Sequence, residues 1–357
     1  MYAQEASKTS MKIGILTASR TNNNGTDLQA LAMQWLFEQF SGNVEIINYK
    51  CKKLENSRKI FYPKSIRGFV EIPYSLQNHI AHELFRARFF HYSQKVYDAD
   101  TISESDYDLI VSGSDQIWNL DITGGDLNYF LPFAYRGVKS SYAASIGHAD
   151  ITEWERKYGL SNFLRDLQSV SVREQSAVEA LEQIGISAHV DLDPILMIPV
   201  QRWNQVKESL VNKRKYIFVY VVDRGYESID YAKAYAREND CEVIYYGNLL
   251  KPVPGIKVER FSNIGRWVSL LANAELVVTN SYHGLSFAIN YQKPFAIPWL
   301  RSSKQSNTRM ESLLMNMGIS ECADKQICTP DWANVDNRLA QLRVKSLEYV
   351  KTMVETK

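Results

Sequence analysis

The sequence predicts an α/β protein: two Rossmann-like domains with a cleft between them and a C-terminal helix. Three observations predict it. Apolar, β-branched runs of strand length, Lys12–Ala18 and Tyr216–Val222, open the two halves of the chain. Strands buried in a parallel sheet read this way, as continuous rather than alternating apolar runs. The same strand, polar loop, helix order then recurs on both sides of a pause in the hydrophobic pattern, KESLVNKRK, near Asn212. The expected layout is a loose tail over 1–10, an N-terminal α/β domain over 11–211 with a basic, aromatic insertion over 50–95, a C-terminal α/β domain over 212–330 and a helix over 331–357. At 357 residues the chain has the length for two ordinary domains.

In the first half, the strand Lys12–Ala18 runs into the polar loop SRTNNNG, and Thr26 or Asp27 is expected to cap the helix beginning at Leu28. Val44–Tyr49 is the second strand. The loop carries one glycine where the dinucleotide fingerprint needs three, which argues against a nicotinamide cofactor. Lys50–Lys95 interleaves ten basic residues with aromatic ones, and suits either a packed helical insertion or a surface for anionic lipid headgroups. Leu109–Ser112 is a strand ending in Gly113-Ser114-Asp115-Gln116-Ile117-Trp118-Asn119. An acid, amides and an indole at a strand's carboxyl end suit a sugar, the carboxylate for a hydroxyl and the ring for an apolar face; the alternative is an Asp that caps the next turn. Ser140–Ser145 is the next strand, a helix follows over Thr152–Leu167, and Arg173 closes the strand Val170–Arg173.

In the second half, helices over Ser228–Asn239 and Asn263–Ala272 alternate with the strands Tyr216–Val222 and Glu242–Tyr246. The stretch ELVVTNSYHGLSFAINYQKPFAIPW then gives a buried strand, Leu276–Thr279, the polar junction Asn280-Ser281-Tyr282-His283-Gly284, a helix, and a second strand over Phe295–Pro298. Open α/β sheets bind ligands at the carboxyl ends of their strands, and a helix amino terminus there suits phosphate or carboxylate. His283 stands at that junction, as a titratable group in a ligand site or as a turn-capping residue. Arg301–Arg309 is a cationic loop, and Val335–Val354 is amphipathic.

Composition narrows the class. A formal charge of +1 gives no pull toward nucleic acid. Cys51, Cys241, Cys322 and Cys328 show no metal-ligand spacing, so free thiols in a reducing compartment and no metal site are expected. The first residues lack a signal-peptide core and no stretch approaches a membrane span, so a cytoplasmic protein is expected.

Six segments in order, NNNGTDLQALAMQWL, VSGSDQIWN, KSSYAASIG, SVREQSAVEALEQIG, VDLDPIL and TNSYHGLSFAINYQKPF, resemble the bacterial polysaccharide pyruvyl transferases. The resemblance implies a GT-B-like fold and transfer of the enolpyruvyl unit of phosphoenolpyruvate to a sugar diol as a cyclic ketal, in surface polysaccharide biosynthesis. No cofactor is implied beyond phosphoenolpyruvate as donor. The acceptor would be a sugar; the basic, aromatic stretch Lys50–Lys95 adds the expectation of a lipid-linked oligosaccharide met by peripheral contact at the inner membrane face. The catalytic residues are then His283 and Asp115. The donor would meet Arg173, Arg309, Asn280, Ser281, Tyr282 and Gly284, and the acceptor Asn24, Gly25, Gln116, Trp118 and Asn119. Part of the family has Arg where this chain has Ser281, which leaves Arg309 as the substitute cation. Two other readings are a nucleotide-sugar glycosyltransferase of similar fold and a noncatalytic sugar- or anion-binding relative.

Overall fold

The computed structural model describes residues 8–57, 66–147, 150–210, 214–222, 225–249, 252–260, 263–298, 308–323 and 325–355. The expected tail over 1–7, the insertion's centre over 58–65, the linker centre over 211–213 and the cationic loop over 301–307 lie outside them. The chain divides into two compact units. The first holds Met1–Lys59, Arg86–Ile198 and Ala340–Lys357, and the second Ile60–Phe85 and Pro199–Leu339.

The first unit is built on β1 (Thr9–Leu16), β2 (Ser41–Tyr49), β3 (Tyr92–Tyr97), β4 (Leu109–Ser112) and β5 (Val138–Ser141), all parallel, in the order β3-β2-β1-β4-β5. Ile13, Ile15 and Leu16 of β1 and Leu109, Ile110 and Val111 of β4 are fully enclosed. Two short parallel strands, β6 (Ser171–Val172) and β7 (His189–Val190), continue from β5 through single bridges of Ala144 to Asp115 and to Val172. The second unit repeats the plan. β8 (Tyr216–Tyr220), β9 (Glu242–Tyr246), β10 (Lys257–Glu259), β11 (Leu276–Thr279) and β12 (Phe295–Ala296) run parallel in the order β10-β9-β8-β11-β12. Each unit therefore reads 3-2-1-4-5 in its own strands, the Rossmann order.

Several expectations are corrected. β3 falls at the end of the stretch expected as insertion, and β10 was not expected; both are edge strands with charged, exposed positions, so neither shows an apolar run. β1 starts at Thr9, inside the expected tail, because the Thr9 amide donates to Phe40 O at 2.9 Å. The first helix, Asn24–Phe37, is capped by Asn23, whose side chain accepts from the Thr26 amide; Thr26 and Asp27 are buried within its first turn. The helix expected over Thr152–Leu167 breaks at Gly159, whose φ of 64° ends one helix and starts the next. The unit boundary lies at Ile198/Pro199 instead of 211/212 because the Trp203 ring, fully buried, packs on Phe287 at 4.9 Å. Cys322 and Cys328, expected as free thiols, are instead paired with a Cα–Cα distance of 5.3 Å, which leaves Cys51 and Cys241 as the free thiols. Both termini of the Cys322–Cys328 segment are buried, and Cys328 pairs antiparallel with Phe295.

The C-terminal helix, Trp332–Glu355, reaches the first unit from Ala340 onward. Ser346 Oγ donates to Asp191 Oδ1 at 2.8 Å and accepts from the Leu192 amide at 3.1 Å. Ser171 Oγ donates to the other Asp191 oxygen at 2.6 Å, and Tyr349 sets its ring edge-on to His189 at 4.3 Å while donating to Ser141 O at 2.8 Å. Among the described residues no helix is long and apolar enough to cross a membrane. Ser346→Ala strips a buried carboxylate and a buried amide of one partner each, so urea denaturation should show a stability loss of about 1–3 kcal/mol. Unchanged stability would mean that this docking contributes nothing.

Candidate functional site

In the second unit the four residues of β11 are fully buried, and the chain leaves its carboxyl end through Asn280 and Ser281 into the helix Tyr282–Asn290. Ser281 is the cap. Its amide donates to Thr279 Oγ1 at 3.0 Å, and its Oγ accepts from the Gly284 amide at 3.3 Å. A Cβ on Gly284 would sit 2.5 Å from Thr279 Oγ1, so only glycine lets the helix start this close to the strand. His283 lies in the first turn, 8% exposed, with its ring edge-on to Tyr282 at 5.6 Å. Asn280 Oδ1 accepts from the Val222 amide at 2.8 Å, tying the junction to the chain leaving β8. The helix Thr308–Met317 packs against the His283 helix, so Arg309, partly buried, stands at the start of a neighbouring helix. The structure thus gathers the predicted residues Asn280, Ser281, Tyr282, His283 and Gly284 into one helix start, where first-turn amides and the helix dipole favour an anion.

In the first unit β4 ends at Ser112, and the backbone turns sharply. A Cβ on Gly113, φ 134°, would collide with the Tyr142 carbonyl. Asp115 follows with φ 73° and ψ 178°. That region is nearly confined to glycine, and a side chain there costs about 1–3 kcal/mol, a strain that persists mainly where function holds it. The surroundings fix it. One carboxylate oxygen accepts from the Gln116 amide at 2.8 Å and the other from Thr26 Oγ1 at 2.9 Å. The Asp115 carbonyl accepts from the Ser145 amide at 3.0 Å, and Thr17 Oγ1 donates to Ser114 O at 3.0 Å. Asn24 and Gly25, predicted for the acceptor, are buried at the start of the first helix, beside Thr26.

Two predicted acceptor residues have structural roles. Trp118 is fully buried, its Nε1 donating to Tyr129 O at 2.8 Å and its ring stacked on Phe130 at 5.2 Å, so it offers no face to a sugar. Asn119 caps the next short helix, its Oδ1 accepting from the Asp121 and Ile122 amides at 3.1 and 3.3 Å. Gln116 is only partly buried, and a Cβ on Gly147 would lie 2.8 Å from its Oε1. Arg173 also has a structural partner. Its side chain is wholly enclosed: Nη1 donates to Asp193 Oδ2 at 2.9 Å and Nε stands 3.8 Å from Glu174 Oε2, so Arg173 belongs to a buried ion pair. Sequence reasoning missed Glu174 as an organiser. Its Oε1 accepts from Ser145 Oγ at 2.8 Å and from the Ile146 and Gly147 amides at 3.0 and 3.2 Å. The only signal was its place beside Arg173 at a strand end. His148, which follows this loop, lies outside the described residues.

Residues 25–297 match the family described as polysaccharide pyruvyl transferase. No curated protein matches the chain. Among solved structures, the chain is similar to the UDP-GlcNAc 2-epimerase of Neisseria meningitidis bound to UDP-GlcNAc, with TM-score 0.51, 12% identity, and 97% of this chain and 95% of that one covered. It is similar in the same degree to the UDP-GlcNAc 2-epimerase of Methanocaldococcus jannaschii, with TM-score 0.50, 12% identity, and coverage of 97% and 94%. At such identity the likeness is one of fold, and it agrees with the GT-B-like class expected from the sequence.

Removing one member of a buried ion pair leaves the other charge uncompensated. Arg173→Ala should therefore cost about 3–5 kcal/mol in chemical denaturation. A variant as stable as the parent would mean that the pair with Asp193 contributes nothing to stability.

Proposed function

The chain belongs to the polysaccharide pyruvyl transferase family, and from that premise we propose that it moves the enolpyruvyl unit of phosphoenolpyruvate onto a sugar diol in surface polysaccharide biosynthesis, forming a cyclic pyruvate ketal and releasing phosphate. The observation that carries this reading is His283, placed with a serine cap and a required glycine at the helix start beyond β11. A donor with a phosphate and a carboxylate needs backbone amides and a cation, and the start of that helix with Arg309 on the adjoining helix supports both. Ser281 takes the capping role, so the cation that part of the family has at this place is assigned to Arg309.

The chemistry balances as follows. A proton is delivered to the methylene carbon, which becomes a methyl group, and positive charge develops at the carbon bearing phosphate. One sugar hydroxyl adds there and loses its proton. The carbon–oxygen bond to phosphate breaks, a second hydroxyl closes the ring, and phosphate leaves with the remaining proton. His283 is assigned to proton delivery or to holding the departing phosphate, because imidazole titrates near neutrality. Asp115 is assigned to the acceptor hydroxyl, supported by a strained backbone that its neighbours maintain.

Peripheral contact with a lipid-linked acceptor belongs to the same proposal. Leu76, Ile80 and Leu84 are 40%, 48% and 67% exposed at four-residue spacing on the helix Ile66–Phe89, and Arg88 is exposed on its last turn. Arg86, counted in the sequence among the surface basic residues, is buried against Asp27 at 3.1 Å and does not contribute. Binding to anionic vesicles should weaken as salt rises, and Leu84→Glu should reduce it; absence of binding at low salt removes the membrane part alone.

His283→Asn should lower turnover, read as phosphate release, by at least about 100-fold while leaving the thermal midpoint nearly unchanged. A folded variant with near-normal turnover, or one that loses stability instead, would remove His283 from the reaction.

A further inference from the structure

The geometry points to Thr26 as the positioning residue that holds the Asp115 carboxylate for the acceptor hydroxyl. This rests on the reading above, in which Asp115 meets that hydroxyl. Thr26 Oγ1 donates to Asp115 Oδ2 at 2.9 Å, with both residues buried. The contact joins residues 89 apart, so it is made by the fold and not by a local turn. A carboxylate can rotate about its terminal bond, and a single donor leaves that rotation partly free. Here the Gln116 amide holds one oxygen at 2.8 Å and Thr26 holds the other, which fixes the plane of the group.

The support behind Thr26 is rigid. The helix Asn24–Phe37 is buried along its whole length. The Thr26 amide is taken by the Asn23 cap at 3.1 Å, so the first turn is set before the side chain is placed. A threonine in a helix can turn its hydroxyl back onto a backbone carbonyl three or four residues earlier. This one is directed at Asp115. A second tie runs in parallel: Thr17 Oγ1, from the end of β1, donates to Ser114 O at 3.0 Å and lies 3.3 Å from Gln29 Oε1 on the same helix. The strained segment is therefore held twice, by its backbone from Thr17 just beyond β1 and by its acid from Thr26 on the first helix. Among the described neighbours, Asp27 pairs with Arg86 and Glu174 with the Ser145–Gly147 loop, while the Tyr129 phenol is driven well above its usual range, first by burial and in smaller part by charges that include Asp115.

A threonine serving only as packing would be replaced by valine without loss, since the two have the same shape. A positioning residue would not. Thr26→Val should lower kcat by about 10- to 100-fold, the value of a hydrogen bond to a charged group, with KM for phosphoenolpyruvate little changed. Thr26→Ser restores the hydroxyl and should recover most of the rate. In an Asp115→Asn background, Thr26→Val should add little further loss, because the residue acts through the acid. The inference is overturned if folded Thr26→Val turns over normally, if Thr26→Ser is as slow as Thr26→Val, or if the valine penalty is the same in both backgrounds. Normal turnover by Asp115→Asn itself would instead overturn the role given to Asp115, so the two failures are told apart.

Discussion

Parallel pairing is the constraint on which both units depend. A parallel strand cannot be joined to its neighbour by a tight turn, so the chain must cross over and re-enter from the same end. All the loops that leave strands then emerge on one edge of each sheet, and the side chains available for chemistry collect there. In the first unit this brings Asp115, from the end of β4, against Thr26, in the helix that follows β1. In the second it sets Asn280, beyond β11, beside the chain leaving β8, with His283 in the helix turn that follows. The pairing of β1 with β4 and of β8 with β11 makes the central strands of each sheet the ones that deliver these groups.

The second requirement is that these junctions hold conformations the backbone would not choose alone. Asp115 stays at positive φ because its amide neighbour, its side-chain partners and its bridge to Ala144 all agree on one geometry. His283 is presented by a helix that can begin so near its strand only because residue 284 has no side chain. Buried polar groups do much of this fixing. Glu174 threads three donors of the Ser145–Gly147 loop with one oxygen, and Asp191 ties the end of the C-terminal helix to the strands beside it. Such groups are costly to bury unless satisfied, so each bond also specifies its neighbour's position.

The central strands and the His283 junction were legible in the sequence because burial on both faces leaves an unbroken apolar run, as in Leu109–Ser112 and Leu276–Thr279. β3 and β10 were not, because edge strands carry polar residues that blur into loops. An indole at a strand end fits a sugar platform or a core equally well, and only Tyr129 and Phe130 decide that Trp118 belongs to the core. The ion pair of Arg173 was hidden for the same reason, since its partner Asp193 stands 20 residues away. Thr26 could be seen as a helix-start residue, but its contact with Asp115 is set by strand order, which a single sequence does not spell out.

The central claim is that this protein builds a ketal carbon from phosphoenolpyruvate. The most direct measurement is to incubate the full chain with phosphoenolpyruvate carrying a carbon-13 label at the phosphate-bearing carbon and a panel of free and lipid-linked sugar diols, following label and phosphate together. The account predicts that the label appears in a quaternary ketal carbon of one acceptor class, with phosphate released in equal amount. Label recovered only as unreacted phosphoenolpyruvate or as free pyruvate across the panel, with nucleotide released from a nucleotide sugar instead, would contradict it.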